Sequence, residues 1–253
     1  MSTTIISHTL DLALRLVDTT TGRVVVGQDI TLLYDGKRVG HMDKGGHLIL
    51  TGRGRNDFTL TVRAPGYEPR TVPIRYEALE PHMPYLELQL IPSPDYYAPV
   101  PCLTLSGNLP ALKALSAVKA GDSACLIREF DPRKRLITLF NPHKLELDRT
   151  HYALVNPDEE TFEPFQVLRR LSDRQFKIDR VLETQFGNYF PICPVVFGRV
   201  DPDGGYCLRV RDDSSQQRWL LRLECGEDVV QFKTVDFRKP DSLTLGQPAP
   251  CSK

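Results

Sequence analysis

The sequence predicts an all-β protein, with an N-terminal β-sandwich followed by one or two further β-barrel or β-sandwich modules and one short helix. Two observations favour this class. Apolar and polar residues alternate over short runs between Leu10 and Ile74, a pattern typical of half-buried strands. Residues that favour turns separate these runs, at positions 20–22 (TTG), 35–36 (DG), 43–46 (DKGG) and 64–67 (APGY).

The first run shows the alternation most clearly. One face carries Leu10, Leu12, Leu14 and Leu16, and the other carries Asp11, Ala13 and Arg15. The same period of two recurs in four later runs, at 30–34, 58–62, 72–74 and 86–90. Asp35-Gly36 and Gly45-Gly46 lie between runs. We expect both pairs to form tight hairpins, because their residue types tolerate positive φ angles.

The order of four segments resembles a known family. VDTTTG, DITLLYDG, DKGGHLIL and DFTLTVRAPGYEPRTVPI follow one another as in the carboxypeptidase regulatory-like domain, an immunoglobulin-like sandwich of the prealbumin (transthyretin) type. Gly66-Tyr67 follows Leu60-Thr61-Val62 as in that family, whereas His47 stands where an apolar or aromatic residue is more usual. The resemblance covers about the first third of the chain. It implies a β-sandwich with no cofactor and no catalytic residue, and it says little about function because this module is joined to very different proteins.

The length of 253 residues, 41% of them apolar, allows more than one core. The sequence predicts four segments. Residues 1–91 form the regulatory-like sandwich, and 92–101 (PSPDYYAPVP) form a proline-rich linker, because proline fixes φ and favours extended neighbours. Residues 102–190 form a β-barrel-like module with one short helix, and 191–253 form a small β module with a C-terminal tail.

The helix is predicted at 110–120, where Leu112, Leu115 and Val118 are three residues apart and Gly121 follows. Strand patterns return after it, at 136–140, 151–155, 162–171, 176–178, 194–200, 206–210, 219–223 and 229–235.

Charge, cysteine spacing and the lack of export and membrane-span patterns limit the partners and the compartment that we expect. Lys plus Arg and Asp plus Glu number 32 each, so we expect no nucleic-acid partner, which would need a basic surplus. The start, MSTTIISHTLDLALRL, lacks a signal-peptide pattern, and no window of about 18 apolar residues predicts a membrane span. The six cysteines show no CxxC spacing. We therefore expect free thiols and a cytoplasmic protein.

A search for catalytic and metal-binding patterns finds only weak candidates. His143, Asp148 and His151 could ligate a metal if they converged, but their spacing matches no common site. Asp201 and Asp203 resemble the opening of a calcium loop but lack its later ligands, so this segment is interpreted as a turn. Two further charged groups are interpreted as solvated turns, namely Glu159-Glu160 and Arg133-Lys134-Arg135. The sequence thus predicts no metal, no cofactor and no enzymatic activity.

Three aromatic residues are candidates for ligand binding. Tyr96 and Tyr97 in the linker, and Trp219 further along, could form exposed surfaces for a glycan or peptide, although rings packed against a neighbouring domain are the simpler interpretation. We expect a structural or adaptor component of a larger assembly, similar in style to accessory proteins of phage tails and contractile injection particles. A glycan- or peptide-binding β-module is the alternative. The pattern identifies no binding residue.

Overall fold

The computed structural model describes residues 10–27, 29–52, 54–119, 121, 125–140, 147, 151–183, 189–212, 218–226 and 229–237. Within these ranges the chain forms twenty β-strands and one 3-10 helix, Tyr76–Ala78, which confirms the all-β class. No helix among the described residues has the length and apolarity needed to cross a membrane. The chain divides into two compact units, Met1–Tyr97 and Ala98–Lys253. The four segment boundaries proposed from the sequence stay predictions.

The first unit is a sandwich of two four-stranded sheets. Its strands are β1 (Leu10–Asp18), β2 (Thr31–Tyr34), β3 (Lys37–Val39), β4 (Met42–Lys44), β5 (His47–Thr51), β6 (Phe58–Arg63), β7 (Arg70–Ile74) and β8 (Tyr85–Leu90). One sheet has the order β4-β5-β1-β8 and the other β3-β2-β6-β7. β1 and β8 are parallel, and every other pair is antiparallel. Leu12, Leu14 and Leu16 of β1 pack in one core with Leu32 and Leu60 of the opposite sheet, as the alternation predicts. The strand is not half-buried, however, because Asp11 and Ala13 on its other face are buried as well.

Both predicted hairpins are confirmed. Asp35 and Gly36 join β2 to β3 with φ angles of 47° and 78°, and Gly45 and Gly46 join β4 to β5 with φ angles of 60° and 78°. Two successive positive φ angles match the right-handed twist of the flanking strands. The turn residues therefore set the register of these two strand pairs.

A buried carboxylate, Asp18, closes the end of β1, with only 2% of its surface exposed. Its Oδ1 accepts the backbone N–H groups of Thr20 (2.7 Å) and Thr21 (3.0 Å). Its Oδ2 accepts the hydroxyl groups of Tyr67 (3.0 Å) and Tyr96. Burial, and next the negative charge of Asp18, raise the pKa of Tyr67 above its ordinary value. These four hydrogen bonds satisfy a charge that would otherwise be costly to bury.

The start of the segment predicted as a linker lies on this sandwich. Pro92 forms a β-bridge with Tyr67, and the Ser93 N–H donates to the carbonyl oxygen of Gly66 at 3.0 Å. Tyr96 is half-buried and its ring centroid lies 5.4 Å from that of Tyr67. Residues 92–96 are therefore held by the first unit.

The second unit contains twelve strands among its described residues. They are β9 (Cys102–Asn108), β10 (Leu112–Lys119), β11 (Cys125–Asp131), β12 (Leu136–Phe140), β13 (His151–Asn156), β14 (Thr161–Arg170), β15 (Gln175–Ile178), β16 (Pro191–Phe197), β17 (Arg199–Val200), β18 (Gly205–Arg211), β19 (Arg218–Cys225) and β20 (Val229–Asp236). Those from β12 onward follow the predicted runs closely, whereas β9, β10 and β11 were not predicted as strands.

Six of these strands close into an antiparallel barrel. The order is β11-β12-β15-β14-β13-β16, and an additional pairing of β11 with β16 closes the ring. The alternating apolar residues of the strands fill its core, which includes Ile127, Tyr152, Phe165 and Ile192. β16 also pairs with β10, and β10, β19 and β20 extend the sheet beyond the barrel.

A three-stranded sheet, β17-β18-β9, completes the unit. Its Leu208 and Val210 share a core with Leu115, Trp219 and Leu221 of the sheet extension. The second unit thus combines a barrel core with a separate sheet-on-sheet core.

The prediction of a helix at 110–120 is wrong, because Leu112–Lys119 forms strand β10. Its register with β19 shifts between Leu112 and Ala114, and this bulge inserts one extra residue. Leu112 and Leu115 therefore face the same core although they are three residues apart. Beyond the bulge the period of two returns, with Ala117 in that core and Val118 in another. Pairing with β16 on one side and β19 on the other satisfies the backbone.

Burial separates the described cysteines into two classes, all of them free thiols. Cys102 and Cys207 are half-buried, whereas Cys125, Cys193 and Cys225 are buried. Burial raises the pKa of the Cys125 thiol to about 12, and the thiolate is the reactive form. Cys251 lies outside the described residues.

In the native protein near pH 8 we expect a disulfide reagent to label Cys102 and Cys207 first, because thiolate content and access control the rate. Cys125 should react only after denaturation. Mass spectrometry of peptides at successive times measures each rate. Labelling of Cys125 as fast as that of Cys102 would contradict the burial.

Candidate functional site

A groove lies in the second unit where strands of the barrel pack against the sheet extension. Its floor is an apolar cluster from β10, β13, β14, β16 and β19, namely Val118, Ala153, Phe162, Cys193, Val195 and Leu220. Phe232 of β20 packs against this cluster, and its ring meets that of Phe162 edge-on at 5.7 Å. We call this surface the barrel groove. Residues of this cluster line two cavities: Val118, Cys193 and Leu220 line the first, and Phe162 lines the second together with Phe232.

The first cavity has a volume of about 390 Å³. Val118, Leu126, Val155 and Leu220 contribute apolar walls. Pockets of about 300–1,000 Å³, mainly apolar and with a few polar groups, are typical ligand sites. This cavity therefore has the size and the lining of a binding site.

Glu160 organises the polar end of the first cavity. Its carboxylate accepts hydrogen bonds from the Arg218 guanidinium and from the Thr234 hydroxyl, the latter at 2.7 Å. All three residues line the cavity. The Glu160 and Arg218 side chains are about half exposed, so their attraction is screened by water. The charges at this end are nevertheless paired within the protein.

A turn at the end of β13 holds Glu160 in position. The Asn156 side-chain oxygen accepts the backbone N–H groups of Asp158 (3.1 Å) and Glu159 (3.3 Å), and Glu160 has a φ angle of 51°. The polar turn predicted at Glu159-Glu160 is confirmed. Sequence reasoning missed the role of Glu160 in the cavity, because its partners follow 58 and 74 residues later.

The second cavity has a volume of about 480 Å³ and a more polar lining. Phe232, Arg180 and Arg222 line it together with Glu163. Burial, and next the positive charge of Arg180, lower the pKa of Arg222. The Glu163 carboxylate accepts the backbone N–H of Glu183 at 3.0 and 2.9 Å. This cavity is suited to a polar group.

Strand β20 borders both cavities and lies at the edge of its sheet. Among the described strands it pairs with β19 alone, in an unbroken register from Val229 to Asp236. Alternate residues face the groove: Val230 and Phe232 line the second cavity and Thr234 lines the first. Val230 is 41% exposed. One face of this edge strand therefore contributes residues to both cavities.

Several other edge strands are much shorter than β20 or contain proline, whereas β8 (six residues) and β9 (seven residues) also lie at sheet edges without proline. β3 and β4 have three residues each, and β7 contains Pro73. Short strands and proline are common means of preventing pairing with another chain. β20 has eight residues and no proline.

The three aromatic candidates differ in exposure. Tyr97 is 90% exposed, whereas Trp219 is only 6% exposed, so the interpretation of Trp219 as an exposed binding residue is wrong. Trp219 lies on the face of β19 that packs in the core, and its ring is edge-on to that of Phe237, with the ring centroids 6.4 Å apart. The Tyr96 hydroxyl is bonded to Asp18. A glycan-binding surface therefore stays a prediction with Tyr97 as the one strongly exposed ring of the three.

The predicted metal candidates can be placed only in part. His143 and Asp148 lie outside the described residues, and the His151 ring packs edge-on against Phe197 at 5.5 Å. Within the described ranges no group of three or more His, Cys, Asp or Glu residues could hold a metal ion.

The two remaining charged candidates are turns, as the sequence predicts. Asp203 Oδ1 accepts the Gly205 N–H at 3.2 Å, and Asp201 Oδ2 accepts a hydrogen bond from Arg199 at 3.1 Å. The backbone N–H groups of Arg133 and Lys134 donate to Asp131 Oδ1 at 3.0 and 3.1 Å. These side chains stabilise local loops.

Comparisons with known proteins return no family model, no curated protein and no solved structure that matches this chain. The resemblance of the first third to the carboxypeptidase regulatory-like domain therefore stays a prediction. The sandwich that it implies is present. Function is inferred below from the barrel groove and its edge strand.

Proposed function

We propose that this chain is a non-enzymatic structural or adaptor protein that binds other protein chains within a larger assembly. The observation that carries the proposal is strand β20, an eight-residue edge strand that pairs with β19 alone among the described strands. Such an edge presents backbone N–H and C=O groups to a partner strand.

The assembly that we favour is a phage-tail-like or contractile injection particle built in the cytoplasm. The support is architectural: sandwich and barrel modules follow one another in a single chain, as in the accessory proteins of such particles. Contacts made by backbone hydrogen bonds and apolar side chains depend only weakly on salt. We therefore expect partners to remain bound at moderate ionic strength.

Replacing Val230 by lysine should weaken partner binding by about tenfold or more, equivalent to about 1.4 kcal/mol. A charge on an exposed edge strand opposes pairing with another chain. The measurement is quantitative recovery of partners with the tagged full chain from its own cells, together with native mass and electron microscopy.

The matched control is Met42→Lys, because Met42 is also an exposed residue of an edge strand, 57% exposed on β4. This variant should recover partners normally. Equal recovery by both variants, or a stable monomer without partners at moderate salt, would overturn the proposal.

A further inference from the structure

We propose that the partner binds through an extended segment that adds to β20 as a new strand and places one large apolar side chain in the first cavity. This inference rests on the proposed function and specifies the chemistry of the partner. A second side chain, four residues along the segment, faces the second cavity and is polar.

The edge strand determines the backbone conformation of the partner. The β19–β20 ladder is continuous over eight residue pairs without a bulge, so β20 can template a strand of similar length. Added strands derive affinity from backbone hydrogen bonds and specificity from pockets that take alternate side chains. A helix or a compact loop would leave the N–H and C=O groups of the edge unpaired.

The first cavity determines the chemistry of the inserted side chain. Its walls include Val118, Val155 and Leu220, and its Glu160 carboxylate is already bonded to Arg218 and Thr234. A charged side chain entering this cavity would lose water without gaining an uncommitted counter-charge from that pair, which is costly. Lys119 also lines this cavity, but the lining is mainly apolar and therefore favours a neutral apolar group.

The spacing follows from the period of the strand. Thr234 lines the first cavity, and Phe232 and Val230 on the same face of β20 line the second. Because Phe232 packs on the apolar cluster and Val230 is 41% exposed, the spacing is taken between Thr234 and Val230, four residues apart. At about 3.4 Å per residue this is about 14 Å. The second cavity is lined by Glu163, Arg180 and Arg222, so the corresponding partner side chain is polar.

The test uses a phage-displayed library of random nonapeptides selected against the full chain. Enriched peptides should share one Leu, Ile, Met or Phe and a polar residue four positions away. A synthetic copy of one enriched peptide then serves as the probe, and its affinity is measured by fluorescence anisotropy. Two methylated copies of the peptide test the strand pairing, one methylated at the odd-numbered backbone nitrogens and the other at the even-numbered ones. Only one of them should lose binding, because alternate N–H groups of an added strand face β20.

Two variants fill the first cavity, Val155→Trp and Leu126→Trp, and both residues are only half-buried. Each should weaken peptide binding at least tenfold, and replacing the apolar peptide residue by alanine should then have no further effect. Met83→Trp, at a residue 62% exposed in the first unit, is the control and should leave binding unchanged. Circular dichroism and thermal unfolding establish that each variant is folded.

The outcomes separate this inference from the proposed function. Peptides whose binding is lost in Val230→Lys but is unaffected by either filling variant would overturn the inference and leave the edge-strand interface standing. Failure to enrich any peptide, or enriched peptides without the apolar position, would also overturn it. The proposed function is decided separately by partner recovery from cells.

Discussion

Replacing Asp18 by alanine should lower the free energy of unfolding of the first unit by about 3 kcal/mol or more, since each buried donor left without an acceptor costs about 1–3 kcal/mol. The Asp18 carboxylate accepts four hydrogen bonds, two from backbone N–H groups and two from tyrosine hydroxyls. Hydrogen exchange of the full chain, followed by mass spectrometry of peptides from residues 10–97, measures this loss without interference from the second unit.

Two controls define the cause of the effect. Tyr96→Phe removes a single donor and should cost about 1 kcal/mol. Asp43→Ala removes an exposed carboxylate from strand β4 and should have little effect. Equal protection from exchange in Asp18→Ala and Asp43→Ala would show that the buried hydrogen bonds of Asp18 do not stabilise the sandwich.

Replacing Gly204 by alanine should destabilise the second unit by about 3 kcal/mol or more, because two penalties combine at this position. Gly204 has a φ angle of 85°, which is strained for residues with a Cβ atom. An added Cβ would also lie 2.4 Å from the carbonyl oxygen of Leu109 and 3.1 Å from Pro110 Cα. Both are backbone atoms, so the chain itself would have to move.

Urea unfolding followed by the fluorescence of Trp219 measures this effect, because Trp219 is the single tryptophan of the chain and lies in the second unit. Gly226→Ala is the matched control. Gly226 has a φ angle of 58°, and among the described residues no atom lies within 4 Å of an added Cβ, so it reports the backbone strain alone, about 1 kcal/mol. Equal losses in the two variants would rule out the close contact as a cause.

Local patterns in the sequence determine much of the fold. The alternation in β1 and the residue types of Asp35-Gly36 and Gly45-Gly46 predict strands and hairpins correctly, because a period of two and positive φ angles depend on neighbouring residues only. The same reasoning fails for β10. There the three-residue spacing of Leu112 and Leu115 comes from a bulge, which exists only because strand β19 pairs alongside.

The candidate site depends on tertiary structure almost entirely. The sequence identifies Glu159-Glu160 as a polar turn, but Arg218 and Thr234 reach Glu160 only after the sheet extension packs against the barrel. The position of β20 at a sheet edge is equally a property of strand order.

By itself, the sequence determined the all-β class, the tight hairpins and the residues suited to a core, because these follow from local conformational preference and from alternation. Only the tertiary structure decided that Trp219 is buried, that Asp18 collects four hydrogen bonds and that the groove runs beside an edge strand. The physical reason is that alternation shows a strand has two faces but not what each face meets, since strand pairing joins residues far apart in the chain.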